Sequence, residues 1–192
     1  MNPNEDDRNP DSQNVAEEGP QTAGDTPEEK ERSRYEALYD QFSERVRELY
    51  EAGQEKGKEA LDKAMEMARE QYSAAGKFSA EQGEAFKKYF RRDLEQAEQE
   101  MHTLGHEARE RLNPSRLGAG ALSSVARLLE SAGTALLSLS QKAENALHFK
   151  TGEITTAGTL TCTKCGQTVQ LKQTAHIPPC PRCNATEFRK GY

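Results

Sequence analysis

The stretch T-L-T-C-T-K-C-G-Q-T-V-Q-L-K-Q-T-A-H-I-P-P-C-P-R-C-N-A-T-E-F, residues 159–188, contains all 4 cysteines of the 192-residue chain. They form two C-x2-C pairs, Cys162 with Cys165 and Cys180 with Cys183. Two such pairs are typical of a metal site, of redox-active thiols or of a disulfide framework. The choice among these three uses decides what this end of the chain folds into.

A zinc site is the best use for the two pairs. Each C-x2-C turn can place two thiolates on one ion, and two facing turns complete the tetrahedron that Zn²⁺ prefers. Gly166 permits the positive φ of a tight turn after the first pair, and Pro181 stiffens the second pair. We predict one structural Zn²⁺ per chain, without an open position for catalysis. The predicted ligands are Cys162, Cys165, Cys180 and Cys183.

Two other uses of the thiols stay open as alternatives, a rubredoxin-like iron site and a thiol redox pair. A disulfide framework is disfavoured, because the N-terminus lacks the basic-then-apolar order of a secretory signal. We therefore expect a cytoplasmic protein, in a compartment that keeps thiols reduced. No apolar run approaches the length of a membrane span, so we expect no membrane association.

Short β-rich runs broken by glycine and proline flank both cysteine pairs. They predict a zinc ribbon over residues 150–192, built as a small three-stranded antiparallel sheet with the metal at one end. His176 lies between the pairs, but four thiolates leave it no place on the metal, so we expect an exposed loop residue. We expect the other histidines, His102, His106 and His148, at the surface.

Residues 27–149 show helical periodicity. Thr26 and Glu29 form a capping-box pattern around Pro27, and apolar residues then recur at steps of three and four, interrupted by Gly53 and Gly57. We predict helices over about 27–75, 80–112 and 115–148, in a mainly α, elongated and coiled-coil-like hairpin or three-helix bundle. The first helix would be on the order of 70 Å long.

The first 26 residues have a different composition, with 7 acidic side chains and 1 basic one. They contain too few large apolar side chains to offset the entropy of folding. The sequence predicts a disordered acidic tail over residues 1–26. In the whole chain 34% of residues are apolar and the net charge is −6, which favours long helices over one large globular core.

Two segments carry a resemblance to a known family: A-G-K-F-S-A-E-Q-G-E-A-F-K-K-Y-F-R-R-D-L-E-Q at 75–96, and residues 149–190. They resemble the bacterial YbeL-like family of zinc-ribbon-containing proteins, over about residues 34–190. The most specific parts are the G-E-x4-G-x-L-x-C-x2-C lead-in, the C-P-x-C pair and the R-R-D-L-E run. The resemblance implies a helical region followed by a ribbon with the same four cysteine ligands, and it implies no particular biochemical role. Asn184 departs from the glycine that many ribbons have after the second pair.

We expect no enzyme, because no nucleophile–base set, glycine-rich phosphate loop or open metal position is present. Arg91, Arg92 and Asp93 are interpreted as a solvated helix face. The first hypothesis is a non-enzymatic adaptor with a protein partner, and we also predict a homodimer through the helices.

The alternative is a nucleic-acid-binding or RNA-polymerase-associated factor, with an architecture similar to that of DksA-like hairpin factors. It would use the basic ribbon, where 6 bases face 2 acids over residues 150–192. Its candidate contacts are Lys164, Lys172, Arg182, Phe188, Arg189 and Lys190.

Overall fold

The computed structural model describes residues 26–104, 110, 112–113, 117–132 and 147–191. Within them the chain forms four helices: α1 (Pro27–Ala52), α2 (Lys58–Ala74), α3 (Ala80–Leu104) and α4 (Ala121–Ala132). The strands are β1 (Phe149–Lys150), β2 (Ile154–Thr155), β3 (Gly158–Cys162), β4 (Thr168–Leu171), β5 (Ala175–His176) and β6 (Glu187–Gly191). The predicted class, mainly α with a small C-terminal β ribbon, is confirmed.

Some predictions lie outside the described residues. They are the disordered tail up to residue 25, His106, and the parts of the predicted second and third helices beyond Leu104 and Ala132. Within the described part of the chain, no helix combines the length and the apolar character that crossing a membrane requires.

The predicted continuous helix over 27–75 is wrong, because the chain breaks at residues 53–57 and forms α1 and α2. Gly57 has φ +103° and ψ −168°, a conformation that only glycine adopts readily. The Lys56 ammonium donates to the backbone carbonyls of Tyr50, Glu51 and Gly53 and so satisfies the C-terminal end of α1. The break lets α2 pack on α1, which replaces one long rod by two shorter helices.

The starts predicted near residues 27 and 80 are confirmed, but the helix predicted from 115 begins only at Ala121, because Gly120 has φ +127°, outside the helical range. Thr26 and Glu29 exchange the two hydrogen bonds of a capping box at α1. Ser79 and Gln82 do the same at α3. Gly76, which ends the turn after α2, has φ +65°. These local devices fix where the helices begin and how α2 turns into α3.

The helical core is rich in aromatic side chains. Phe86 on α3 lies at its centre, with ring centroids 5.4 Å from Tyr39, 5.9 Å from Phe42 and 5.4 Å from Phe78. Apolar residues of α2 and α4 complete the same cluster, and so does Ile154 of β2, which is fully buried. One residue of the ribbon therefore belongs to the core of the helices.

The ribbon contains two antiparallel sheets. One has four strands in the order β1-β6-β3-β4, and the other pairs β2 with β5. The prediction of a single three-stranded sheet is wrong, because β1 adds a fourth strand at the edge and β2–β5 forms a separate pair. That second pair lies against α1 and α3, so it connects the metal-bearing sheet to the helices.

Candidate metal centre

The two cysteine pairs form two turns with the same backbone hydrogen bonds. In the first turn, Gly166 N donates to Cys162 O at 3.0 Å. In the second, Asn184 N donates to Cys180 O at 2.9 Å. Gly166 has φ +73° and Asn184 has φ +54°, so asparagine takes the left-handed position that glycine takes in the first turn. Asparagine is one of the few other residues that tolerate this conformation, which explains the departure noted in the sequence.

The four thiols are placed as ligands of one ion. All four sulfur atoms lie within 4.8 Å of one another. The Sγ atoms of Cys162 and Cys183 are 3.7 Å apart, and those of Cys165 and Cys180 are 3.6 Å apart. A tetrahedral Zn²⁺ with Zn–S bonds of about 2.3 Å requires sulfur atoms about 3.8 Å apart. The residues therefore fit a four-thiolate zinc ion.

The protonation of the thiols shows why a cation is needed. Burial raises the pKa of Cys180. The backbone N–H groups of Arg182 and Cys183 and the neighbouring thiols lower it by more, so the pKa is about 6. The Gln167 N–H lowers the pKa of Cys165, whereas burial and the neighbouring thiols raise it to about 12. Four adjacent thiolates repel one another, and a divalent cation removes that repulsion.

At the opposite end of the ribbon, the buried carboxylate of Asp93 joins helices and strands. It accepts hydrogen bonds from Tyr39 Oη of α1 at 3.1 Å and from Thr155 Oγ1 of β2 at 2.8 Å. The backbone N–H of Thr156 donates to it at 2.8 Å. Asp93 is fully buried, so these donors replace the water that a carboxylate would otherwise bind. One side chain of α3 thus ties α1 to the ribbon.

Lys190 of β6 belongs to the same buried network. Its Nζ donates to Thr155 Oγ1 at 2.8 Å and to Thr156 Oγ1. Burial lowers the pKa of Lys190 to about 8, while the nearby Asp93 carboxylate acts to raise it. The Thr155 hydroxyl therefore bridges the buried cation and the buried anion, while Thr156 binds Lys190 through its hydroxyl and Asp93 through its backbone N–H.

Arg92 makes a second connection between α3 and the ribbon. Its guanidinium donates to Ile154 O at 2.7 Å and to the Glu153 carboxylate. The guanidinium carbon lies 4.2 Å from the ring centroid of Phe149 and 5.3 Å from that of Tyr89. Only 8% of its side chain is exposed, so Arg92 is a planar, buried cation held by an acid, a carbonyl and two rings.

Two further contacts join the ribbon to α1. His176 of β5 lies 2.9 Å from the Glu36 carboxylate and stacks on the Tyr35 ring at a centroid distance of 5.7 Å. Thr174 Oγ1 donates to Asp40 Oδ1 at 2.6 Å. The inner side of the ribbon is therefore in contact with α1 as well as with α3.

Several predicted positions need correction. His176 is not an exposed loop residue, since it pairs with β2 and packs against α1. Arg92 and Asp93 do not lie on a solvated face. Two of the candidate nucleic-acid contacts, Phe188 and Lys190, are buried, Phe188 because it fills the core of the small sheet and Lys190 because it binds the threonine hydroxyls.

The remaining predicted positions are at the surface. His102 and His148 are exposed, as predicted. The exposed candidates for nucleic-acid contact are Lys164, Lys172, Arg182 and Arg189.

The sequence contained signals for the burial of Asp93 and of Lys190. Asp93 lies three residues after Phe90 and seven after Phe86, on the apolar face of α3. Strand alternation places Lys190 on the same side of β6 as Phe188. A carboxylate on a helical seam and a lysine on an inward strand position both indicate a buried polar contact.

Comparison with known proteins gives one match. Residues 48–191 match the model of a family described as a zinc-ribbon containing domain. No curated protein and no solved structure matches the chain. The family match covers α2, α3, α4, all six described strands and the four cysteines, whereas most of α1, with the residues that contact the ribbon (Glu36, Tyr39 and Asp40), precedes it.

Proposed function

Because the chain belongs to this family of zinc-ribbon containing domains, we propose that it is a non-enzymatic interaction module shaped by one structural zinc ion per chain. The observation that carries the proposal is the closed set of four thiols. Four thiolates fill the tetrahedral sphere of Zn²⁺ and leave no position for substrate or water. The metal then supplies folding free energy, and surfaces of the protein supply the function.

A cytoplasmic setting belongs to the proposal. The four thiols are not joined in disulfides, and thiols stay available as ligands where the compartment keeps them reduced. The predicted homodimer through the helices stays a prediction. The described residues expose less apolar surface for a dimer to bury than the sequence indicated. The helices α1 to α4 share one core, and Met67 is the one exposed large apolar side chain among the described residues.

X-ray absorption at the zinc edge tests the structural role of the metal. We expect one zinc per chain with four sulfur neighbours at about 2.3 Å and no oxygen or nitrogen neighbour. An oxygen or nitrogen in the first shell would indicate an open site and contradict a structural role. Iron in place of zinc would favour the rubredoxin-like alternative.

Affinity capture tests the interaction role. The zinc-loaded full chain is used as bait in a cytosolic extract, with the metal-stripped chain as the control. We expect partners that the loaded chain retains and the stripped chain loses. Protein partners that survive nuclease treatment support an adaptor, and partners that disappear with nuclease indicate nucleic acid. Equal capture by both forms contradicts an interaction surface shaped by zinc.

A further inference from the structure

The exposed surface of the ribbon carries an excess of cations. Of the two carboxylates in residues 147–191, Glu153 binds Arg92 and Lys88 of α3. Glu187 lies directly opposite Lys150 in the β1–β6 pair. Five exposed cations of the ribbon have neither an ion pair nor a side-chain hydrogen bond within the described part of the chain. One of them is Lys150, which faces Glu187 across the strand pair, and the other four are Lys164, Lys172, Arg182 and Arg189.

Arg189 lies on a polar face of the four-stranded sheet. It is exposed in β6 and pairs with Thr161 of β3, which in turn pairs with Thr168 of β4. Thr159 and Gln170 form the next pair on the same face. Hydroxyl and amide groups of this kind hydrogen-bond phosphate oxygens in nucleic-acid complexes. The face therefore offers donors beside its cation.

Lys164 and Arg182 occupy the same position in the two cysteine turns, directly before the second cysteine of each pair. A Zn²⁺ ion with four thiolates has a formal charge of −2. These two cations therefore also have a local use, because they balance the charge of the metal centre. Lys172, at the end of β4, and Arg189 do not neighbour a cysteine in the sequence, so that use does not account for them.

We propose that Lys164, Lys172, Arg182 and Arg189 form a surface that binds the phosphodiester backbone of nucleic acid without reading its sequence. The inference rests on the proposed interaction role and names the partner. Protein interfaces centre on aromatic or arginine anchors packed in apolar pockets. This face has exposed arginines but no exposed aromatic side chain among its described residues, since Phe149 and Phe188 are buried. Phosphate contacts need only cations and hydrogen-bond donors.

The charge of the whole chain limits the strength of this binding. The net charge is −6, so the acidic parts of the protein repel a polyanion and only the ribbon end attracts it. We expect weak binding that depends strongly on salt. For four phosphate contacts on a single strand, the slope of log K against log salt is about −2.8.

The test measures fluorescence anisotropy of a labelled, mixed-sequence single-stranded oligonucleotide of about 20 nucleotides, with a labelled polyglutamate as the acidic-peptide probe. The zinc-loaded full chain is compared with the double variant Lys172→Gln/Arg189→Gln. We expect affinity to fall at least about fivefold in the variant, and the slope to fall to about −1.4, because two of four contacts are lost. Zinc content should be unchanged.

The matched control is Lys30→Gln/Lys63→Gln, which removes two exposed helical lysines without an ion pair in the described structure. It removes the same net charge, so equal losses in both variants would mean a bulk charge effect and would overturn the inference. Tighter binding of polyglutamate than of the oligonucleotide would overturn it in favour of an acidic protein partner.

One outcome separates this inference from the proposed function. If no oligonucleotide binds at low salt while the zinc-loaded chain still captures nuclease-resistant protein partners, the nucleic-acid surface is wrong and the interaction role stands. If both assays fail, the interaction role fails with it. A loss confined to Lys164→Gln/Arg182→Gln and accompanied by loss of zinc would also overturn the inference, since those cations would then act only on the metal centre.

Discussion

The metal end of the ribbon is held by four thiols and two short backbone turns, whereas the inner end is held by buried charges and hydroxyls from four separate elements. The metal end is built from residues that are close in sequence, in two turns of the same design. The inner end brings together Tyr39, Asp93, Thr155 and Lys190. The first end depends on an ion, and the second depends on the helices, so the ribbon is held from both sides.

This difference indicates that ribbon and helices unfold together. Ile154 of β2 lies in the helical core, and Asp93 of α3 is satisfied by donors from the ribbon. Removing either half leaves apolar surface exposed and a buried charge without partners, both of which cost free energy. The helices and the ribbon each have an apolar cluster, and Ile154 and the Asp93 network join the two.

The largest effect is expected from breaking the metal end. Cys180→Ser removes a ligand, and with it much of the roughly 10–16 kcal/mol that zinc can supply to a small module. We expect the ribbon to become sensitive to protease. The helices should also melt at a lower temperature by circular dichroism, because α3 loses its partners on the ribbon.

The matched control for the metal end is Lys172→Gln, which changes an exposed side chain of the ribbon that does not neighbour a cysteine. It should keep the zinc, with unfolding free energy within about 0.5 kcal/mol of the wild type. An unchanged melting temperature of the helices in Cys180→Ser would show that the metal end acts on the ribbon alone.

The next largest effect is expected from breaking the inner end. Asp93→Ala removes the acceptor of the network and the stronger of the two carboxylate charges, Asp93 and Glu100, that favour the charged form of buried Lys190. We expect a loss of about 3–5 kcal/mol in unfolding free energy, the usual cost of removing one partner of a buried pair. Denaturant unfolding measures it, and the zinc content of the folded variant should equal that of the wild type.

Lys190 allows a pH test of the same end. Its pKa is about 8 in the folded protein, against an ordinary value of 10.5. Between these two values the unfolded chain binds more protons than the folded one, so the contribution of Lys190 to stability rises with pH. The stability difference between wild type and Lys190→Met should shift in favour of the wild type by up to about 3 kcal/mol from pH 8 to 10.5. A constant difference would mean that Lys190 titrates normally.

The smallest effect is expected on the outer surface, where Asp62 of α2 pairs with Arg91 of α3. Asp62 pairs with Arg91 at 2.5 Å, but their side chains are 42% and 43% exposed. Exposed pairs contribute about 0–1 kcal/mol. Asp62→Asn should therefore change the unfolding free energy by less than about 1 kcal/mol, and that contribution should decrease with added salt. A loss as large as that of Asp93→Ala would remove the distinction between buried and exposed charges.

The contrast between the metal end and the inner end also decides how much of the structure the sequence predicts. The cysteine turns, the capping boxes at Thr26 and Ser79, and the turn at Gly76 depend on residues a few positions apart. Patterns of that range can be found in a sequence. The contacts of Asp93 join residues 54 and 62 positions apart, and spacing alone does not predict which strand meets which helix.

The break between α1 and α2 depends both on a local sequence signal and on tertiary packing. Gly53 and Gly57 are visible in the sequence as costs to a helix, but the periodic apolar pattern continues through them. A cost of about 1 kcal/mol for each glycine does not by itself end a helix. Tertiary packing of α2 on α1, with Lys56 bound to the carbonyls at the end of α1, favours the break. That gain depends on the fold and not on the local sequence.

The most direct test of the account is one denaturant titration of the zinc-loaded full chain, followed by two signals. Helical circular dichroism reports on α1 to α4, and a metal-sensitive dye reports release of zinc from the ribbon. If ribbon and helices form one cooperative unit, the two transitions coincide in midpoint and steepness. Release of zinc at a lower denaturant concentration, with the helical signal unchanged, would contradict the account and show that the ribbon unfolds alone.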